Sequence, residues 1–133
     1  MVLYLTSTIG GYQKINGEAI YTKMNNDNHF VDNLKAELKS IENINFTFFC
    51  SSPDKYEKTD MYSMAVKKSF ELDGFTFNKF NVIDYRFNQN IEDVVNDSDI
   101  VFLCGGHVFT QNTFFDDVEL KDIFSRYNGI VIG

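Results

Sequence analysis

The sequence is poor in the residues that mark unstructured or cross-linked chains. It holds 1 proline and 8 glycines in 133 residues, and 44% of it is hydrophobic. That balance excludes a disordered or low-complexity chain. Its 2 cysteines, Cys50 and Cys104, both lie in apolar segments. Such a pair excludes a disulfide framework and suits reduced thiols in the cytoplasm. Its 2 histidines, His29 and His107, have unlike contexts and no clustered cysteine or acidic neighbours, so no metal site is expected. Positive charge is short, with 12 Lys and Arg against 19 Asp and Glu and a net charge of -7. A basic face for phosphates is therefore missing, and nucleic acid is excluded as a partner. No apolar run approaches the ~20 residues of a membrane-spanning helix. The start, Met1-Val2-Leu3-Tyr4-Leu5-Thr6-Ser7, lacks a basic region and a small-residue cleavage site, so neither membrane insertion nor a signal peptide is expected.

What is present fits one domain with one core. Residues Val2 to Ser7 read as a buried strand stopped by Gly10-Gly11, and Gly11 to Asp27 as a long polar loop. Asn28 is placed to cap a helix reaching about Ser40, with Phe30, Val31, Leu34, Leu38 and Ile41 as its buried stripe. Asn45 to Cys50 is a second strand, broken by Ser51-Ser52-Pro53-Asp54. A helix from about Glu57 to Leu72 follows, with Met61, Met64, Ala65, Phe70 and Leu72 inward and Gly74 at its end. Phe75 to Ile83 is a third strand, and Ile91 to Val95 a short helix. Asp99 to Cys104 is a continuously apolar strand whose two faces must both be covered. Thr113 to Tyr127 reads as a helix with Phe114, Val118, Ile123 and Phe124 inward, and Gly129 to Ile132 as a fifth strand. Strand and helix alternate, so the expected fold is an open α/β sheet, parallel, with helices on both faces. Ligands of such sheets bind at the carboxyl ends of the strands.

The stretch Cys104-Gly105-Gly106-His107-Val108-Phe109-Thr110-Gln111-Asn112, a helix, then Gly129-Ile130-Val131-Ile132-Gly133 resembles the peptidase E family of serine peptidases, the alpha-aspartyl dipeptidases, to which cyanophycinases are related. The family pattern is an apolar strand, Gly-Gly-Asn, a helix, a second apolar strand and Gly-x-Ser-Ala-Gly; a bacterial branch with Gly-Gly-His and Thr-Gln-Asn is the nearer likeness. Leu5-Thr6-Ser7 with Gly10-Gly11, Phe30-Val31-Asp32-Asn33-Leu34 and Ser51-Ser52-Pro53-Asp54 extend the resemblance over essentially the whole chain. It implies a flavodoxin-like or class I glutamine amidotransferase-like fold, of which residues 1–133 are the N-terminal two-thirds, truncated after about five strands. It implies a nucleophilic serine two residues past Gly133, with the histidine and acidic partner further on. The expectation is a cytoplasmic peptidase acting on short peptides, with no catalytic residue, cofactor or metal in residues 1–133 and no activity from them alone.

Within the chain, the resemblance assigns Gly106, with Gly105 beside it, to an oxyanion hole. A backbone N–H there would stabilise the charge that acyl transfer puts on a carbonyl oxygen, and glycine allows close approach. The plain alternative is a tight turn between strand and helix. His107 matches the family's Asn position and reads as a substrate or loop contact, since a base would need a nucleophile within reach and an orienting partner. Gln111 and Asn112 read as substrate contacts, or as loop and capping residues beside Thr110. Cys104 reads as a buried structural cysteine, His29 as an exposed helix-start residue, and Asp116, Asp117 and Glu119 as a solvated helix face. The family removes N-terminal aspartate, which calls for a cation; Arg86, Arg126 and several lysines exist, and spacing singles out none of them.

Two other classes compete. Thr6-Ser7-Thr8-Ile9-Gly10-Gly11 after the first strand could cradle the phosphate of a flavin in a non-catalytic, flavodoxin-like binding module, although some sixteen polar residues separate it from Asn28. A truncated remnant would instead expose apolar surface around residues 130 to 133.

Overall fold

The computed structural model describes residues 1–133. Five parallel strands form one sheet: β1 (Val2–Tyr4), β4 (Ile44–Phe49), β5 (Phe77–Ile83), β6 (Ile100–Leu103) and β7 (Ile130–Ile132). Their spatial order is β1-β7-β6-β4-β5. The helices are α1 (Phe30–Glu37), α2 (Tyr56–Leu72), α3 (Ile91–Asn96), α4 (Val108–Asp117) and α5 (Leu120–Arg126). This is the open α/β fold that the alternation implies, consistent with a flavodoxin-like arrangement.

The strand order fixes where the helices go. Crossovers from β1 to β4 and from β4 to β5 run one way across the sheet, and those from β5 to β6 to β7 run back. Right-handed crossovers then put α1 and α2 on one face and α3, α4 and α5 on the other. Side chains agree. On one face Phe46 of β4 meets Phe70 of α2 at 5.0 Å, and Tyr4 of β1 meets Phe30 of α1 at 5.6 Å. On the other, Phe49 of β4 meets Phe115 of α4 at 6.2 Å. The direction of winding reverses between β4 and β6, and the crevice at their carboxyl ends is where such folds bind ligands.

The core is one cluster of buried apolar side chains, with Phe46, Phe48, Phe49 and Phe70 fully enclosed. Its few buried polar groups are paired. Thr47 Oγ1 and Ser98 Oγ share a 2.7 Å hydrogen bond, and Tyr127 Oη donates to the Ser98 carbonyl at 2.8 Å. No buried side-chain nitrogen or oxygen lacks a partner. No helix is long and apolar enough to cross a membrane.

Several expectations change. Residues 11–27 are mostly a hairpin of β2 (Gly10–Ile15) and β3 (Glu18–Met24), not a loop. Its turn is Asn16-Gly17, with φ of 53° and 81°, the mirror-image turn that suits strand twist. β1 is an edge strand rather than a buried one: Leu3 and Leu5 are 51% and 79% exposed. The first helix is shorter than expected, and Asn26 caps it in place of Asn28, accepting from the Val31 N–H at 2.8 Å. Met61, Met64 and Leu72 face outward on α2, while Thr59, Ser63 and Ser69 face in. The small Ser69 lets the hairpin approach closely, and its Oγ–H is shared between the Ala65 and Gly11 carbonyls at 3.0 and 3.2 Å. The last helix begins earlier and is broken, because Glu119 takes a left-handed φ of 55° between α4 and α5. Ile130, Val131 and Ile132 are 5%, 1% and 0% exposed, since β7 lies inside the sheet; no apolar surface is open at these three residues.

Candidate functional site

A cavity of about 520 Å³ opens at the carboxyl edge of the sheet. Its floor is the ends of three neighbouring strands: Thr6 after β1, Gly133 after β7, and Leu103 to Gly105 at the end of β6. Tyr62, Ala65 and Val66 of α2 form one wall, and Gln111 and Phe115 of α4 the other. Ile9, Gly10 and Tyr12 of the hairpin segment close the side next to β1. The hairpin reaches this place because Gly11 sits tightly on Ser69 of α2.

The residues singled out in the sequence divide between cavity and packing. Gly105 and Gln111 line the cavity. Gln111 lies within α4 and donates from Nε2 to the Cys104 carbonyl at 2.6 Å, which fixes the turn leaving β6. The backbone N–H groups of Gly105 and Gly106 donate to no backbone acceptor within the chain. Gly106 lies against the loop after β4, where a Cβ would meet Ser51 Cβ at 2.5 Å. Ser51 is 4% exposed, so packing alone demands glycine at position 106. His107 is exposed and serves as the N-cap of α4, with Nδ1 3.1 Å from Thr110 Oγ1. Asn112 is exposed on α4. Gly106, His107 and Asn112 do not line the cavity.

A Gly105/Gly106 comparison tests this division. Nothing lies within 4 Å of a Cβ built on Gly105. Gly106→Ala is expected to lower unfolding stability by about 1–3 kcal/mol through overpacking. Gly105→Ala should stay within about 1 kcal/mol of the parent. Equal urea midpoints for the two variants would contradict the Ser51 contact.

The thiols are not poised as nucleophiles. Burial pushes Cys104 up to about 11, against a small opposing pull from Lys58. Burial, with the nearby Asp84 charge adding to it, pushes Cys50 up to about 12. A reactive thiolate needs the reverse environment. Both cysteines are free. No group of three or more Cys, His, Asp or Glu side chains could hold a metal ion.

The two arginines are committed elsewhere. Arg86 Nη2 lies 2.6 Å from both Asp60 and Asp84, and its guanidinium stacks over Tyr56 at 4.6 Å. Arg126 Nη2 lies 2.6 Å from Glu92. Neither lines the cavity.

A second cavity of about 380 Å³ lies between Thr6-Ser7-Thr8 and the start of α1. The structure thus brings the loop after β1 beside a helix start, with the hairpin inserted between them in sequence. That helix start is a poor phosphate cradle. The Val31 and Asp32 N–H groups already donate to Asn26 Oδ1, at 2.8 and 3.2 Å. Asp27 lines the cavity as well, and its carboxylate opposes an anion.

Sequence reasoning singled out the Thr6-to-Gly11 loop but missed Tyr12, Tyr62, Val66 and Phe115 as cavity residues. The usable signal was Asn16-Gly17, which marks a hairpin and so carries Tyr12 back over the sheet edge.

Fold and cavity together define an open parallel α/β domain with a ligand-sized cleft over the ends of β1, β7 and β6 at its carboxyl edge. No family model, no curated protein and no solved structure matches the chain.

Proposed function

We propose that residues 1–133 form the N-terminal part of a serine peptidase of the peptidase E type that acts on short peptides. The observation that carries this reading is that Gly133 and Gly105 line the same cavity, at the ends of the neighbouring strands β7 and β6. In this reading a serine two residues beyond Gly133 is delivered to the rim of that cavity. It attacks a peptide carbonyl held there, and the free N–H group of Gly105, with that of Gly106 next to it in the chain, receives the oxyanion that develops. The histidine and acidic partner that activate the serine stand on the chain joined to Gly133. Residues 1–133 then supply the oxyanion side and the substrate wall, and no nucleophile. The free, protonated thiols of Cys50 and Cys104 fit a cytoplasmic enzyme.

The test is to read the coding DNA past Gly133 and weigh the native protein. The expected result is a mass above 15.4 kDa, x-Ser-Ala-Gly after Gly133, and dipeptide hydrolysis that disappears when that serine is changed to alanine. A stop codon directly after Gly133, or hydrolysis that survives the change, would sink the proposal.

A further inference from the structure

The edge cavity carries no charged side chain. Its lining is hydroxyl groups (Thr6, Ser7, Thr8), aromatic rings (Tyr12, Tyr62, Phe115), small and aliphatic residues and one neutral amide, Gln111, which gives one of its two N–H donors to the Cys104 carbonyl. Around it the protein carries a net charge of -7. A carboxylate placed here would lose water without gaining a cation, inside a negative field. The cations that could rescue it are engaged. Arg86 and Arg126 are paired with carboxylates. Lys58 lies over the ring of Tyr62 at 5.7 Å and lines a separate small cleft beside Cys50. An uncharged group meets the opposite balance, with apolar surface to bury against and a hydroxyl rim to orient an amide.

We infer that this cavity selects an uncharged, apolar side chain, aromatic or branched aliphatic, and rejects the acidic side chain that the family resemblance implies. The inference rests on the peptide reading for its substrate class, and on the cavity alone for its preference of side chain.

The experiment is a set of titrations of the full-length protein, with the serine proposed after Gly133 changed to alanine so that the dipeptides are not cleaved, followed by amide chemical shifts of Thr8, Tyr12, Val66 and Phe115. The probes are Phe-Ala amide, Asp-Ala amide and free indole. Phe-Ala amide should bind about tenfold or more tightly than Asp-Ala amide, from the burial of one large apolar side chain. Tyr62→Ala, at a half-exposed rim position, should weaken Phe-Ala amide about fivefold. Lys58→Met should leave Phe-Ala amide binding unchanged. Asp-Ala amide binding as tightly as Phe-Ala amide would overturn the inference and leave the peptide reading standing. Indole binding at these four residues without either dipeptide would uphold the apolar selection and overturn the peptide reading. Absence of all three probes from the cavity would overturn both.

Discussion

Gly11→Ala should be among the most damaging single substitutions outside the core, lowering unfolding stability by about 2–5 kcal/mol. Two costs add. Gly11 has φ +89°, a conformation that costs a residue with a Cβ roughly 1–2 kcal/mol. The new Cβ would also lie 2.7 Å from Ser69 Cβ, in the last turn of α2 and 1% exposed. Overpacking of this kind costs about 1–3 kcal/mol. Ser69 cannot turn away cheaply, because its one Oγ–H is shared between the Gly11 carbonyl at 3.2 Å and the Ala65 carbonyl at 3.0 Å. The hairpin would lift from the helix, and Ile9 and Tyr12 would leave the cavity wall. Urea denaturation and a Phe-Ala amide titration of the same variant read the two effects together. Gly17→Ala is the control, since Gly17 shares a positive φ of 81° but has nothing within 4 Å. Its cost should stop near the backbone strain of about 1–2 kcal/mol. Ser69→Gly in the Gly11→Ala background should recover part of the loss. Equal costs at positions 11 and 17 would mean that the hairpin is not docked on Ser69.

That docking also explains which parts of the molecule were legible in the sequence. Strands β4 and β6 were readable because a central parallel strand is apolar on both faces and needs no partner to announce itself. The inward face of α2 was misread at Met61, Met64 and Leu72 because hydrophobicity was taken as the only reason to face inward. Ser69 faces in for another reason: the Gly11 backbone must come close, and a small hydroxyl side chain allows it while bonding to nearby carbonyls. The break between α4 and α5 depends on a left-handed Glu119, a residue type with no intrinsic taste for that conformation, so local sequence gave no warning. The cavity was only partly legible. Gly105 and Gln111 belong to a local motif, whereas Tyr12, Tyr62 and Phe115 meet across separations that only the strand order determines. The order itself, with β1 beside β7, is a non-local choice that alternation does not specify.

Alkaline pH should weaken the fold steeply, by roughly 4 kcal/mol between pH 8.5 and 10.5, through the two thiols at the sheet edge. An unfolded thiol ionises near its ordinary pKa of about 8.5. Folding raises Cys50 to about 12 and Cys104 to about 11, chiefly through burial. Between those limits the unfolded chain binds fewer protons than the folded one, so stability falls as pH rises. The contribution is complete below about pH 8.5 and drains away as pH climbs toward the folded values. Each thiol accounts for roughly 2 kcal/mol of the loss over those two units. Tyr127, also held above its ordinary range by burial, pulls the same way at the top of the interval, so the thiols are isolated by substitution. Urea midpoints measured at intervals from pH 8 to 10.5 should fall along a shallower line for Cys50→Ala and for Cys104→Ala than for the parent. The small cavity left by each alanine lowers the whole line without tilting it, which separates lost packing from lost proton linkage. Parallel lines for parent and variants would show that the thiols ionise as freely in the fold as out of it. In that case Cys104, on the wall of the cavity, would have to be reconsidered as a nucleophile. Steeper loss in the parent would instead fix both cysteines as protonated packing groups, Cys50 fully buried and Cys104 half-buried.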